Sequence, residues 1–212
     1  MHIKGKHSLS SRLWLERQSK DPYVKLAKKE NYRCRAVFKL QEIDEKFSLI
    51  KNAKNIVDLG AAPGGWSQFL SEHSSADAKI AAVDLLQFRG IDKVKQFIGD
   101  FEEPAVQKSV IDYLGIKADL IVSDMAPSTT GHAQTDHLRI MRLVESAFFF
   151  AQNLLTKNGN FVAKIFQGGG EKQFVDGLKK HFDKVCFFKP KASRSLSFEI
   201  YVVALGFKRD EI

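Results

Sequence analysis

Three charged residues lie within, or at the end of, segments that otherwise have the apolar pattern of buried strands. They are Asp124, Lys164 and Glu199. Burial of an ammonium group without a partner is costly, so Lys164 predicts a carboxylate nearby. A structural ion pair would meet that need. All three residues are predicted near the sheet edge that also holds a glycine-rich turn, described below. Charged groups gathered at such an edge favour a reaction centre instead.

A glycine-rich turn follows another predicted strand, Asn55–Leu59. Gly60, Gly64 and Gly65 permit backbone angles and close approaches that a Cβ would forbid. A helix is predicted to begin near Gly64, and its free N–H groups favour a nucleotide-type cofactor at the carboxyl end of the strand. The spacing fits neither G-x-x-x-x-G-K-[ST] nor G-x-G-x-x-G. It therefore argues against a nucleoside triphosphate and against a nicotinamide dinucleotide, which makes a dehydrogenase a distant alternative.

Two further acids follow the next predicted strands. Asp84 ends an apolar run 24 positions after Gly60, close to the ~20 typical of an acid that binds a ribose. Asp100 repeats the pattern. One carboxylate can accept both hydroxyl protons of a ribose, and another can accept from an adenine amino group. A single acid in such a position is more often a strand-end or cap residue, but the ordered set of three, with Asp58 before the turn, favours a cofactor site.

Alternating strand and helix patterns predict a doubly wound α/β domain that positions these residues. One helix is predicted at 35–46 and a longer one at Thr135–Leu155, with Thr135 as its cap. The core face of the longer helix is predicted to contain Leu138, Met141, Val144, Ala147, Phe148 and Leu155. Strands are predicted at 55–59, 79–84, 95–98, 118–124, 159–166, 184–189 and 197–206.

The connection between the last two predicted strands is short. Residues 190–196 provide too few positions for a helical crossover. The last two strands should therefore pair antiparallel.

The positive charge of the chain is concentrated near its N-terminus. The formal net charge is +8; residues 1–39 contain eleven lysines and arginines and three acids, whereas the other 173 residues contain 22 of each. Four aromatic side chains lie among these cations. Charge runs are often only solvated, but this distribution favours binding of nucleic acid through phosphates. We predict a basic N-terminal arm at 1–34 and one catalytic domain at 35–212.

Cysteine and histidine spacing predicts no metal site. Cys34 and Cys186 form no C-x-x-C pair, and the six histidines form no H-E-x-x-H cluster. No apolar run approaches the roughly 18 residues of a membrane span, and the amino terminus lacks a signal-peptide pattern. We expect a cytoplasmic protein without a metal and without membrane contact.

Six short blocks follow one another along the chain, namely Ser11-Arg12, 35–40, 58–68, 123–127, 162–168 and 193–201. In these blocks the chain resembles the FtsJ/RrmJ family of S-adenosylmethionine-dependent ribose 2'-O-methyltransferases. The likeness extends over nearly the full length and is strongest to bacterial members that methylate a uridine of large-subunit ribosomal RNA. The order of the blocks is highly specific.

The resemblance implies a Rossmann-like S-adenosylmethionine-dependent methyltransferase fold, with a seven-stranded, mostly parallel sheet and an antiparallel last strand. It implies S-adenosyl-L-methionine as cofactor, S-adenosyl-L-homocysteine as product, and no metal. It assigns catalysis to the tetrad Lys39, Asp124, Lys164 and Glu199. It assigns cofactor binding to Gly64, Trp66, Asp84, Asp100 and Asp124.

The resemblance also implies a substrate and a reaction. The partner is ribosomal RNA within the large subunit, and a monomeric enzyme methylates a uridine ribose of 23S RNA late in ribosome assembly. Lys164 either removes the 2'-hydroxyl proton or only orients the hydroxyl. Among the cations beside the cleft, we expect Arg33, Arg35 and Arg194 to bind phosphates, because guanidinium groups suit them.

Two alternatives stay open. Motifs shared across the family fit 2'-O-methylation of the tRNA anticodon loop equally well. A non-enzymatic RNA-binding assembly factor would retain the fold without transfer, although the complete tetrad argues against it.

Overall fold

The computed structural model describes residues 19–115, 117–127, 130–168, 171–195 and 197–208. The Ser11-Arg12 block and the first 18 residues of the predicted arm lie outside this described part.

Helices and strands alternate along most of the described chain, as the sequence pattern predicts. The helices are α1 (Pro22–Lys29), α2 (Val37–Phe47), α3 (Gly65–His73), α4 (Pro104–Leu114), α5 (Ala133–Leu154) and α6 (Glu171–His181). The strands are β1 (Asn55–Leu59), β2 (Lys79–Asp84), β3 (Val94–Ile98), β4 (Ala118–Ser123), β5 (Leu155–Phe166), β6 (Phe182–Phe188) and β7 (Glu199–Phe207).

The strands form one seven-stranded sheet in the order β3-β2-β1-β4-β5-β7-β6. β7 is antiparallel to both β5 and β6, and the pairs among β1 to β5 are parallel. The prediction of an antiparallel last strand is therefore confirmed. The strand order reverses between β1 and β4, and open α/β sheets bind ligands beyond the carboxyl ends of the strands at such a point.

Two apolar clusters cover the two faces of the sheet. Helices α1, α2 and α3 pack on one face, where Ile56 and Ile80 of the strands point. Helices α4, α5 and α6 pack on the other face, where Val57 and Ala81 point. Successive residues of β1 and β2 are thus buried on opposite sides, which is why these strands read as continuous apolar runs.

Local signals fix several helix ends. The Asp21 carboxylate accepts a hydrogen bond from the Tyr23 N–H at 3.0 Å, and Pro22 occupies the first position of α1. Helix α4 begins at Pro104 and is followed by the C-cap residue Gly115, whose φ of 71° is readily adopted by glycine.

Two details predicted for α5 are wrong. The cap position is His132, which makes no side-chain capping bond, so Thr135 lies inside the first turn. Leu138, predicted in the core, is 64% exposed, because the buried side of the helix near its start contains Asp136 and Ile140 instead.

The start of β5 also differs from the prediction. The strand begins at Leu155, not at 159, so buried Leu155 belongs to the sheet. Its pairing with β4 shifts between Ala118 and Leu120, and Asn158 has a φ of 65°. The polar stretch 156–159 accordingly has the composition of a turn.

The described part of the predicted arm packs on the domain. Ala27 is buried, and the Tyr32 ring lies 5.9 Å from that of Phe38. The boundary at residue 34 stays a prediction. Within the described residues, no helix is long and apolar enough to cross a membrane.

Candidate active site

Four charged side chains from distant parts of the chain meet at the carboxyl edge of the sheet. Lys164 Nζ lies 2.9 Å from Asp124 Oδ1 and 2.6 Å from the Asp124 carbonyl oxygen. Lys39 Nζ, from α2, lies 2.9 Å from Glu199 Oε1 and 3.8 Å from Asp124 Oδ1. The structure thus brings together all four residues of the predicted tetrad, which we call the charged cluster.

Tyr201 supports the charged cluster, and sequence reasoning gave it no role. Its buried hydroxyl donates a hydrogen bond to Asp124 Oδ1 at 2.5 Å. Its ring lies 5.8 Å from Lys39 Nζ. Tyr201 follows Glu199 by two positions in β7, so alternation along the strand places both side chains on one face. The two-residue spacing between Glu199 and Tyr201 is the feature of the sequence that could have indicated a role for Tyr201.

The cluster stabilises the ionised form of Asp124. Burial acts to raise the pKa of the Asp124 carboxyl, but the charges of Lys164 and Lys39 and the Tyr201 hydrogen bond outweigh it, so the pKa is lowered. Burial, together with Asp124 and Glu199, raises the pKa of Tyr201 well above 10.0. Asp124 therefore accepts hydrogen bonds from a phenol that stays neutral.

The two bonds from Lys164 to Asp124 leave one position on Nζ. An ammonium group has three N–H donors, and the third would be free to reach a substrate oxygen. A neutral amine would use both of its donors on Asp124, and its lone pair would take the remaining position. The same geometry can thus donate to a hydroxyl or accept its proton.

The glycine turn at 60–65 approaches its neighbours closely. Gly60 has a φ of 76°, and a Cβ there would lie 2.4 Å from Met125 Cγ. Gly64 has a φ of 96°, and a Cβ there would lie 2.8 Å from the Phe88 ring. The turn can pass directly beside the segments that follow β4 and β2 because neither position has a side chain.

The predicted ribose acid Asp84 also holds this turn. Its carboxylate accepts hydrogen bonds from the Ala62 N–H at 2.9 Å and the Leu86 N–H at 2.8 Å. Asp100 similarly accepts from the Glu102 N–H at 2.9 Å. Each oxygen has a second lone pair, so these carboxylates retain capacity for a ligand.

A cavity of about 680 Å³ opens between the glycine turn and α5. Three predicted cofactor residues line it, namely Asp84, Asp100 and Asp124. Asp124 is therefore shared between the cavity wall and the charged cluster. This volume suits a nucleoside-sized ligand.

The other two predicted cofactor residues do not line this cavity. Gly64 lies at the start of α3. Trp66 is buried, donates from Nε1 to the Ala36 carbonyl oxygen at 2.8 Å, and packs its ring 5.8 Å from that of Tyr201. Its side chain joins α3 to α2 and to the base of the charged cluster, and any cofactor contact at these positions stays a prediction.

Asp58 is a second buried acid, located between the glycine turn and the charged cluster. Its Oδ2 accepts a 2.6 Å hydrogen bond from Ser67, whereas Oδ1 is buried without a partner among the described residues. Burial raises its pKa from 3.8 to about 7, against the opposing Ser67 bond, and the charges of Asp124 and Asp84 add to the rise.

The three arginines expected to bind phosphate are engaged within the protein. Arg33 donates to the Arg89 and Gly90 carbonyl oxygens at 2.6 and 3.0 Å. Arg35 and Arg194 approach the Asp21 carboxylate at 3.1 and 3.6 Å. The side chain of Arg194 is 40% exposed, against 16% for Arg35, so it retains more surface for a phosphate than Arg35 does.

Within the described residues, no group of three or more histidine, cysteine, aspartate and glutamate side chains could hold a metal ion. The fold, the cavity and the adjoining charged cluster fit the Rossmann-like methyltransferase that the resemblance implies.

Comparison with known proteins identifies the family. The model of the FtsJ-like methyltransferase family matches residues 32–207. The chain therefore belongs to the FtsJ-like methyltransferase family, and the resemblance inferred from the sequence is confirmed.

Several relatives match this chain over nearly its whole length and over most of their own. Ribosomal RNA large subunit methyltransferase E of Zymomonas mobilis is 52% identical over 203 residues, which are 96% of this chain and 91% of the relative. The protein of the same name from Sinorhizobium fredii is 48% identical over 97% of this chain and 85% of its own. A crystal structure described as a ribosomal RNA methyltransferase from Plasmodium falciparum has a TM-score of 0.74 at 29% identity, over 83% of this chain and 98% of its own.

Proposed function

We propose that this protein transfers a methyl group from S-adenosyl-L-methionine to the 2'-hydroxyl of a uridine ribose in 23S ribosomal RNA, within the large subunit and late in its assembly. The observation that carries the proposal is the double position of Asp124. It lines the cavity and accepts the hydrogen bond of Lys164. A group able to act on a hydroxyl thus lies beside a nucleoside-sized cavity.

The residues of the cavity fit this cofactor. Asp84 offers its free lone pairs to the ribose hydroxyls and Asp100 offers its own to the adenine amino group. When bound, S-adenosyl-L-methionine supplies a methyl group made electrophilic by a positively charged sulfur. The acids in the cavity wall, with Asp124 ionised, favour a ligand that carries that charge.

Lys164 is the residue that meets the 2'-hydroxyl. Its bonds to the Asp124 carbonyl and carboxylate oxygens fix Nζ in place. The ammonium form of Nζ orients the hydroxyl oxygen, and the neutral amine form, through its lone pair, receives the hydroxyl proton. Orientation of this kind supplies much of the rate of an in-line transfer.

Lys39 and Glu199 position the rest of the substrate. Glu199 holds Lys39 at 2.9 Å, and both side chains are largely buried. Lys39 keeps a positive charge beside the target ribose and its phosphate. The basic arm 1–34 adds contacts to RNA phosphates, which provide affinity without sequence selection.

The RNA target is taken from the relatives. Proteins 52% and 48% identical to this chain are named ribosomal RNA large subunit methyltransferase E. We infer the same substrate here, with a monomer acting in the cytoplasm.

The test is a transfer assay with tritiated S-adenosylmethionine. Purified protein is incubated in parallel with undermethylated large ribosomal subunits, RNA extracted from them, and bulk tRNA. Alkali-stable label in the subunits is the expected result, and the Lys164→Ala protein should transfer it about 10²–10⁴-fold more slowly.

Label confined to tRNA would refute the ribosomal target. Cofactor binding without label in any substrate would refute enzymatic transfer and favour an assembly factor.

A further inference from the structure

A groove of about 450 Å³ lies between α6 and the β6–β7 hairpin, on the sheet face opposite α2. We call it the α6 groove. Phe187, Ile200 and Val175 give it apolar walls, and Lys172 and Lys179 stand in its lining. The function proposed above makes no use of it.

Phe198 extends this apolar surface to the edge of the charged cluster. The antiparallel pairing of Phe166 with Glu199 continues through a 2.9 Å hydrogen bond from the Gln167 N–H to the Phe198 carbonyl oxygen. Side chains alternate across an extended strand, so Phe198 shares a face with Ile200, whereas Glu199 faces Lys39.

The two phenylalanines are unusually exposed. Phe198 is 66% exposed and Phe187 is 49% exposed. Large apolar side chains gathered at the surface beside a site mark a place where a ligand or partner docks.

The segment that builds the α6 groove is basic, while the groove lining itself has two acids, Glu171 and Asp176, beside its two lysines. The segment 171–191 contains six lysines and three acids. All three acids have partners, since Glu171 accepts from the Gly168 N–H at 2.6 Å, and the other two lie near lysines at 3.5 and 3.8 Å. Lys172 is exposed at the groove.

We propose that the α6 groove binds a nucleotide that neighbours the target nucleotide in the RNA, with its base stacked on Phe187 and Phe198 and its phosphate beside Lys172. The proposal rests on the function proposed above, because a strand that reaches Lys164 crosses the sheet edge where Phe198 and Glu199 lie. Aromatic side chains stack on any base, so binding of this kind tolerates different RNA sequences.

The test uses two variants and a matched control. Phe198→Ala and Phe187→Ala each remove a stacking ring. Phe149→Ala is the control, because Phe149 is also 66% exposed but lies on α5, outside the groove lining. For each protein we would measure kcat and KM on undermethylated large subunits, the Kd for RNA extracted from them by filter binding, and the Kd for S-adenosylhomocysteine.

Both groove variants should raise KM for subunits and Kd for RNA by roughly 5-fold to 100-fold, the effect of losing one stacked base. Their kcat and S-adenosylhomocysteine affinity should match those of the control. Lys172→Ala should reduce the slope of log K for RNA against log salt concentration by about 0.7, because one phosphate contact is lost.

RNA affinities equal to those of Phe149→Ala would overturn the proposal. Weaker binding to subunits with unchanged binding to extracted RNA would also overturn it, and would indicate a ribosomal protein in the groove. Filter binding needs no transfer, so a protein that binds RNA without methylating it would refute the proposed function while the variants still decide the groove.

Discussion

At the carboxyl ends of β2 and β3, carboxylates bond to backbone N–H groups, whereas the acids after β4 and at the start of β7 bond to other side chains. Asp84 accepts from the Ala62 and Leu86 backbones. Asp124 accepts from Lys164 and Tyr201 instead. The first region shapes a binding cavity, and the second concentrates charge where a proton moves. The two regions share Asp124. A substitution in one region, at any residue other than Asp124, should leave the function of the other region unchanged.

The largest expected effect comes from Lys164→Ala, which tests this separation. Transfer to large subunits should fall by about 10²–10⁴-fold, because the group that holds and takes the hydroxyl proton is gone. Affinity for S-adenosylhomocysteine, measured by calorimetry, should stay within about threefold of the parent. Lys184→Ala, an exposed lysine on β6, is the control. Loss of both methyl transfer and S-adenosylhomocysteine binding, or of neither, would contradict the separation of the two regions.

Asp84→Ala should give the reverse pattern. Two backbone N–H groups lose a charged acceptor and a ligand loses its partner, so S-adenosylmethionine affinity should fall about 10- to 100-fold. At saturating cofactor, kcat should recover most of its value. Asp112→Ala, in an exposed ion pair on α4, should match the parent. A lower kcat with unchanged cofactor affinity would mean that Asp84 belongs to catalysis.

Asp58 sharpens the comparison because it lies on β1, between the two regions. Its pKa is raised from 3.8 to about 7 in the folded protein, so the folded state binds more protons over that range. The free energy of unfolding should therefore fall as pH rises through this window, by about 2 kcal/mol between pH 5.5 and 7.5. Urea titrations should show this slope reduced in Asp58→Asn. An identical slope in both proteins would exclude Asp58 as its source.

Tyr201→Phe should have the smallest effect. It removes one hydrogen bond to Asp124 and keeps the ring, so kcat should fall about fivefold. The hydroxyl stabilises the ionised carboxyl, so its loss raises the pKa of Asp124 and should move the acid limb of the pH–kcat profile to higher pH. Tyr113→Phe is the control. An unshifted acid limb would mean that Tyr201 contributes only the packing of its ring and does not influence the pKa of Asp124.

The same contrast explains what the sequence could predict. The glycine turn, Asp84 and Asp100 follow their strands directly, and local patterns indicate them. Lys164 and Glu199 interrupt apolar strands, which makes them visible as exceptions. Lys39 lies in an amphipathic helix, where lysine is ordinary, so the family resemblance alone pointed to it.

Other features depend on tertiary structure. The position of Tyr201 in β7 indicates that it shares a face with Glu199, but the hydrogen bond from its hydroxyl to Asp124 depends on the tertiary structure. The start of β5 was missed because Asn158 and Gly159 indicate a turn, although the chain continues into the sheet there. Phosphate binding by the three arginines stays a prediction, and sequence patterns do not locate the carbonyl oxygens that Arg33 and Arg35 meet.

The most direct test of the central claim is the chemical identity of the methylated nucleoside. Large subunits treated with the protein and deuterated-methyl S-adenosylmethionine would be digested to nucleosides and separated by liquid chromatography with mass spectrometry. The account predicts that the deuterated methyl group appears in 2'-O-methyluridine. A label on a nucleobase, with none on ribose, would contradict it.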